Sequence, residues 1–271
     1  MEWSKLKNIV LLLLVCVNVA LLSFLLGGEL QNRGTQNKAR LEAITFLEKK
    51  GVTAAEGAIP AEMDLRPKVV ERGLEWEGAI ARALLGEDLR VQDRGAGVYR
   101  YSGRVGAIQF HNDGAFSGEF LPGSFPAGGS RAEDCLALLK TLDFEGTLLE
   151  EKGDSLTFRQ TWEGCPLFSQ QVTLEIEGGR VTAMTAGRRL VGQPAEDADR
   201  ETMTVSTALI RFFNGMNELG GVCSRIDGVE QGYVSSTSLS GPMQLTPVWR
   251  IATDTDEYQM DLVTGALSRV T

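Results

Sequence analysis

The chain has 271 residues, a formal net charge of -9 and a hydrophobic fraction of 43%. Residues 1–8 carry a net charge of +1, so the part from residue 28 onward carries -10. Such an acidic surface is poorly suited to nucleic acid, and we expect no nucleic-acid partner. The roughly 240 residues after residue 28 are enough for one large or two small hydrophobic cores.

Residues 9–27 read IVLLLLVCVNVALLSFLLG and contain no charged side chain. As a helix this run would be roughly 28 Å long, close to the hydrocarbon thickness of a bilayer. It therefore predicts a retained transmembrane anchor, preceded by a short head at residues 1–8. A cleaved signal peptide and a lipid anchor at Cys16 remain alternatives. The run is longer than a usual signal core, and Val15 stands where a lipid signal needs a small residue.

The charges beside the anchor predict its orientation. Lys5 and Lys7 lie just before the apolar run, and Glu29 follows it almost at once. Positive residues next to a transmembrane helix favour the cytoplasmic side, and long domains are translocated largely regardless of charge. We expect a single-pass protein of the cell membrane with a cytoplasmic N-terminus and an extracellular C-terminal domain.

Asn18 is the one strongly polar residue near the middle of the apolar run. It is either a tolerated residue with a local partner or the donor of a hydrogen bond to another transmembrane helix. Both interpretations stay open. Asn18 is the only residue that we single out as a candidate partner contact.

Residues 28–129 are predicted to form a helical stalk and a first hairpin region. Two amphipathic helices are expected at 38–50 and Leu74–Leu85, separated by an irregular stretch at 52–73. Strand patterns follow at Val98–Tyr101, Val105–His111 and Ala115–Phe120, with the turn Asn112-Asp113-Gly114 before the last of them.

The second half of the chain shows the order helix, then antiparallel strands, twice. A capping box, Ser130 to Glu133, opens a helix that runs to about Leu142, and a second helix is expected from Thr202 to Asn217. The expected strands are Thr147–Glu151, Ser155–Trp162, Leu167–Glu177, Arg180–Ala186, Val222–Asp227, Glu230–Ser236, Val248–Thr253, Tyr258–Leu262 and Ala266–Val270. We predict an α+β fold in which residues 130–192 and 193–271 are two helix-plus-antiparallel-sheet units.

Residue patterns that could carry chemistry are weak. The single histidine, His111, has no acid and nucleophile beside it in the sequence. Asp254, Asp256 and Glu257 lack the spacing of a calcium loop and predict a solvated turn. The literal S-x-x-K match at Ser4 to Lys7 lies at the membrane edge. We predict no catalytic, cofactor-binding or metal-binding residue, and a protein that is not an enzyme.

Three cysteines lie outside the apolar run: Cys135, Cys165 and Cys223. Their number is odd, their spacing is wide, and no CxxC pair occurs, so a zinc ribbon or a redox motif is not supported. The pattern favours three small buried side chains. Whether any two of them form a disulfide stays open.

The opening residues MEWSKLKNI resemble the start of the YycI regulatory proteins of Gram-positive bacteria, where an M-x-W-S-x-x-K-x-I head leads directly into a single anchor. The tail is similar as well, in Pro247–Ile251 (PVWRI), Tyr258–Asp261 (YQMD) and Thr264-Gly265. Residues 52–160 add little to this resemblance.

The resemblance implies an extracytoplasmic domain of helix-plus-sheet units that acts with a YycH-like companion. It also implies regulation of an essential cell-wall-sensing histidine kinase, called WalK or YycG, through transmembrane contacts. The expected partners are therefore the membrane, the transmembrane helices of the kinase and the YycH-like protein, and no cofactor is expected. The alternative is an anchored extracellular binding module for peptides or cell-wall fragments.

Overall fold

The computed structural model describes residues 14, 15, 17, 18, 34–237 and 241–270. Within residues 34–270 of that set lie four helices: α1 (34–49), α2 (Leu74–Leu85), α3 (Arg131–Lys140) and α4 (Val205–Glu218). The strands in the described ranges are β1 (Thr53–Ala54), β2 (Lys68–Val70), β3 (Arg90–Asp93), β4 (Tyr99–Gly103), β5 (Gly106–Phe110), β6 (Ala115–Phe120), β7 (Phe125–Pro126), β8 (Gly146–Lys152), β9 (Ser155–Trp162), β10 (Cys165–Glu177), β11 (Arg180–Arg188), β12 (Pro194–Glu196), β13 (Arg225–Ser236), β14 (Met243–Thr253), β15 (Glu257–Asp261) and β16 (Leu267–Arg269). This mixed architecture confirms the predicted α+β class.

The predicted anchor at 9–27 lies outside the described residues except at positions 14, 15, 17 and 18, which are helical. Over the described ranges, no helix combines the length and the apolar character that a membrane span requires. The anchor and its orientation stay predictions.

Contacts divide the chain into two compact units. The first comprises the described residues of Met1–Met63, Met203–Gly228 and Thr253–Thr255, and the second comprises those of Asp64–Thr202, Val229–Ala252 and Asp256–Thr271. The predicted domain bounds at residues 129 and 192 stay a prediction.

The first unit is built on α1 and α4. The rings of Phe46 and Phe213 meet edge to face with their centroids 5.9 Å apart. The Arg40 guanidinium donates to the carbonyl oxygens of Ile59 and Pro60, both at 2.9 Å, and so attaches the segment after α1 to that helix. Strand β1 pairs in parallel with residues 225 and 226 at the start of β13.

The second unit contains a large sheet with the order β12-β2-β14-β13-β10-β11-β6-β5-β4-β3. Strand β10 occupies its centre: it pairs antiparallel with β9 and β11, and in parallel with β13 where Leu167 faces Tyr233. The pairing of β10 with β9 changes register between Pro166 and Gln171.

Two apolar clusters are built on this sheet. The larger one is covered by α2 and α3 and includes Leu139, Phe158, Leu174 and Met184, all fully buried. The smaller one gathers Val70, Leu167, Leu190, Tyr233, Met243 and Leu245. Burial of side chains of this size contributes about 1.5–3 kcal/mol each, which makes the two clusters the main source of stability in the second unit.

Several predicted elements required correction. The stretch 52–73, expected to be irregular, contains β2, which pairs with both β12 and β14. Helix α3 begins at Arg131, but the Ser130 side chain makes no capping hydrogen bond, and the Asp134 carboxylate instead accepts the N–H of Gly129 at 3.2 Å. The two strands expected at 222–227 and 230–236 are one strand, β13, which begins at Arg225.

The Asp254 carboxylate generates a prediction about acid stability. It accepts hydrogen bonds from the Ser224 hydroxyl and from the backbone N–H groups of Ser224 and Arg225. These bonds, with the Ser224 hydroxyl first, hold the pKa of Asp254 below its ordinary value of 3.8. Such a group contributes stability above the unfolded-state pKa, and this contribution is lost as the pH falls through the lower, folded-state pKa.

We predict that Asp254→Asn unfolds at a lower temperature than the parent at neutral pH, and that this difference shrinks below about pH 4. Thermal unfolding followed by circular dichroism across the acid range measures both. Asp227→Asn, which changes another exposed carboxyl of the first unit, serves as the control. A difference from the parent that stays constant through the acid range would contradict the prediction.

Candidate functional site

Asn18, the one predicted contact residue, is helical and exposed. Leu14, which is 59% exposed, precedes Asn18 by four residues. Because residues four apart lie on the same side of a helix, the two side chains share one face. The structure brings no second predicted site residue to Asn18.

The motifs that the sequence analysis dismissed occupy ordinary structural positions. His111 follows β5, and its Nε2 lies 2.9 Å from the side-chain nitrogen of Gln109. Asp256 pairs with Arg269 at 3.4 Å. The described residues contain no group of three or more histidine, cysteine, aspartate or glutamate side chains placed to hold a metal ion. The Ser4 to Lys7 match lies outside the described residues.

The three cysteines outside the apolar run are free thiols. Burial, followed by the charge of Asp134, raises the pKa of Cys135 to about 11. Burial also raises the pKa of Cys223 to about 11. Because the thiolate is the reactive form of cysteine, these two buried thiols are poor nucleophiles at neutral pH.

A small cleft of about 90 Å³ opens on the second unit, beside the end of β9 and the turn that follows α3. Its lining combines two indole rings with three acidic side chains. The lining residues are Trp76, Asp143, Glu145, Gln160, Thr161, Trp162, Glu163, Leu190, Gly192 and Gln193.

The floor of this cleft is held by the side chain of Gln160, which is only 2% exposed. Its amide oxygen accepts the backbone N–H of Leu190 at 3.0 Å, and its amide nitrogen donates to the carbonyl of Asp143 at 3.3 Å. Asp143 has a φ of 53°, a left-handed conformation that closes the turn after α3. One buried amide therefore connects two loops that the sequence places far apart.

Both tryptophans of the cleft already contact a cation of the protein. The guanidinium carbon of Arg189 lies 4.4 Å from the ring centroid of Trp76, and the ammonium of Lys68 lies 5.3 Å from that of Trp162. Arg189 is 2% exposed, and its Nε and Nη2 atoms are buried without a hydrogen-bond partner. Burial lowers the pKa of Arg189 to about 10, against the opposing effect of the Glu77 and Asp143 charges.

The arrangement favours a positively charged ligand group. Asp143, Glu145 and Glu163 are exposed at the cleft, and these three carboxylates outnumber the two cations, Lys68 and Arg189, that already lie over the indole rings. The cleft is much smaller than the roughly 300–1,000 Å³ of sites that enclose a whole small molecule, so it would suit one side chain. The sequence analysis did not identify this cleft, because its residues come from α2, β9 and three loops.

Neither a protein-family model nor a curated protein matches the sequence. Solved structures similar to this chain include an uncharacterized protein from Eubacterium rectale, with 11% identity, a TM-score of 0.40, and coverage of 76% of this chain and 86% of the other. A second structural neighbour is the Bacillus megaterium YpeB C-terminal domain, with 15% identity, a TM-score of 0.36, and coverage of 74% and 99%. Neither likeness is close enough to carry an argument about function.

The buried amide of Gln160 generates a prediction about stability. Gln160→Leu removes the acceptor of the Leu190 N–H and the donor to the Asp143 carbonyl. The buried N–H of Leu190 is then left without a hydrogen-bond partner. We expect the free energy of unfolding to fall by about 1–3 kcal/mol, measured by urea denaturation. Gln171→Leu, at an exposed position on β10, is the matched control and should change stability by less than about 0.5 kcal/mol. Equal effects of the two substitutions would show that the amide bridge contributes nothing.

Proposed function

We propose that this chain is a membrane-anchored, non-enzymatic accessory regulator of a cell-wall-sensing histidine kinase of the WalK type. It would act with a YycH-like partner through transmembrane contacts, with its C-terminal domain outside the cell. The observation that carries this proposal is the head MEWSKLKNI followed at once by the uncharged run at 9–27. The PVWRI and YQMD segments of the tail add to it.

The mechanism requires a difference in binding. A kinase has at least two signalling states, and a regulator shifts their populations only if it binds one of them more tightly. The anchor would supply this difference by packing beside the transmembrane helices of the kinase. A side-chain hydrogen bond within a bilayer contributes about 0.6–2 kcal/mol, which suits Asn18 as a contact that biases the equilibrium.

We predict that Asn18→Leu leaves insertion, abundance and folding unchanged but reduces co-purification with the kinase and the YycH-like partner. Leucine is more apolar than asparagine, so insertion should if anything improve. Val17→Leu, at the neighbouring helical position, is the matched control and should co-purify like the parent. Quantitative co-purification from membranes after crosslinking gives the measurement.

Replacement of residues 9–27 by a foreign transmembrane helix extends the same test to the whole anchor. We expect this chimera to lose its effect on kinase output while remaining in the membrane. If the chimera regulates the kinase like the parent, the transmembrane mechanism is wrong. If only Asn18→Leu behaves like the parent, the contact face lies elsewhere on the anchor.

A second candidate function is an anchored binding module for peptides, and the acidic cleft between Trp76 and Trp162 favours it. Under this proposal Asp143, Glu145 and Glu163 would hold the ammonium or guanidinium of one basic side chain. The anchor would then serve only as a tether.

We expect a trilysine peptide to bind the full chain in detergent, and a triglutamate peptide not to bind. Glu145→Gln and Glu163→Gln should each weaken this binding by about two- to fivefold, the range of a partly exposed ion pair. Glu150→Gln, on β8, is the control for the loss of one charge. Isothermal titration calorimetry measures all four proteins. Equal affinity of the two peptides would rule out the cleft as a cation site.

A further inference from the structure

Two arginines that do not line the cleft contact the same phenylalanine ring on the second unit. Arg159 lies on β9, Phe168 on β10 and Arg250 on β14. The guanidinium carbons of Arg159 and Arg250 lie 5.2 Å and 4.3 Å from the ring centroid of Phe168. Three strands that are separate in the sequence therefore bring two positive charges to one aromatic ring.

The Phe168 ring lies in a space that Gly232 of β13 leaves open. A Cβ atom at Gly232 would come within 2.7 Å of the ring atom Cε2 and 2.5 Å of the Pro166 carbonyl oxygen. Phe168 is itself only 7% exposed. The ring is therefore packed against the backbone of β13, and both guanidinium groups lie within cation–π distance of it.

Among the residues that the structure describes, no carboxylate lies within ion-pair distance of these two guanidinium groups. Over the described ranges, the Nε atoms of Arg159 and Arg250 are both buried without a hydrogen-bond partner. The terminal nitrogens of both arginines, unlike the Nε atoms, remain in contact with solvent. By contrast, Arg72 binds the Glu77 carboxylate through two hydrogen bonds.

Charges of both signs act on Arg159. Burial, followed by the positive charge of Arg250, lowers the pKa of Arg159. Glu230 on β13 and Glu257 on β15 act in the opposite direction through their charges. The two carboxylates act at a distance and form no ion pair with Arg159, so an anion bound directly between the guanidinium groups would reduce their mutual repulsion further.

We propose that Arg159 and Arg250 form a binding site for an oxyanion with two negative charges, either a phosphate group or a dicarboxylate. The planar guanidinium groups donate to oxygens of such ligands through their terminal nitrogens, and two negative charges neutralise both arginines. Phe168 is a positioning residue, because its ring holds the two side chains in place before the ligand arrives. This site does not depend on the proposed regulatory function.

The test uses the full chain in detergent and titrates it with sodium phosphate, and separately with sodium succinate, at constant ionic strength. We expect saturable binding of at least one of the two dianions by isothermal titration calorimetry. Arg159→Gln and Arg250→Gln should each weaken it by at least about tenfold. Tighter binding of phosphate identifies a phosphoryl ligand, and tighter binding of succinate identifies a dicarboxylate.

Arg100→Gln is the matched control, because Arg100 is a half-buried arginine of the same unit that pairs with Glu119 at 3.4 Å. It should bind the dianion like the parent. Glu230→Gln leaves both guanidinium groups intact and removes a competing negative charge, so it should tighten binding by about two- to threefold. This variant keeps the test decisive even if an arginine variant fails to fold.

Three outcomes would overturn the proposal. The first is that the parent binds neither dianion saturably. The second is that Arg159→Gln and Arg250→Gln bind like Arg100→Gln. The third is that Glu230→Gln binds the dianion no more tightly than the parent. This result would show that the anion does not bind beside Arg159 and Arg250.

Discussion

The second unit depends on the pairing of β10 with three other strands. One stretch of this strand places Leu167 in the smaller apolar cluster, and the next places Val172 and Leu174 in the larger one. The register with β9 changes between Pro166 and Gln171, where the strand passes from one cluster to the other. Both proposed sites lie beside this change: Phe168 lies within it, and the acidic cleft opens where β9 ends. If β9 and β10 paired regularly through this region, the irregular backbone beside which both sites lie would not exist.

Two cations near α2, the half-buried Arg72 and the buried Arg189, show how this fold accommodates positive charge. Arg72 pairs with the buried carboxylate of Glu77 at 2.8 and 2.9 Å and also donates to the carbonyl of Gly97, so its desolvation is offset by hydrogen bonds. Arg189 lacks such bonds at Nε and Nη2 and instead faces the rings of Trp76 and Phe110. Ring contacts replace only part of the lost hydration, and burial accordingly lowers the pKa of Arg189. Arg189 thus places a positive charge against the indole ring of Trp76, which lines the cleft.

Local patterns in the sequence predicted much of the fold and almost none of the candidate sites. Strands such as Ala115–Phe120 and Ser155–Trp162 alternate buried side chains with exposed or half-buried ones, and their predicted bounds are confirmed. Strand β2 was missed because three residues cannot display a period, and it is a strand only because β12 and β14 pair with it. The cleft gathers residues from α2, β9 and three loops, and the Arg159–Arg250 pair comes from strands β9 and β14, which lie far apart in the chain. No spacing rule relates such residues, so only the tertiary structure reveals them.

The tail residues that resemble the YycI proteins have structural roles in this fold. Trp249 is fully buried on β14 and pairs with Met260 of β15. The Asp261 carboxylate accepts the N–H groups of Val263 and Thr264, and Gly265 has a φ of 79°, so these residues form the turn before β16. Residues that close a core or a turn are required whatever the protein binds, because they act on folding rather than on recognition. The tail therefore contributes to folding, and under the proposed function a preference for one kinase or companion would have to come from the head and anchor or from exposed side chains.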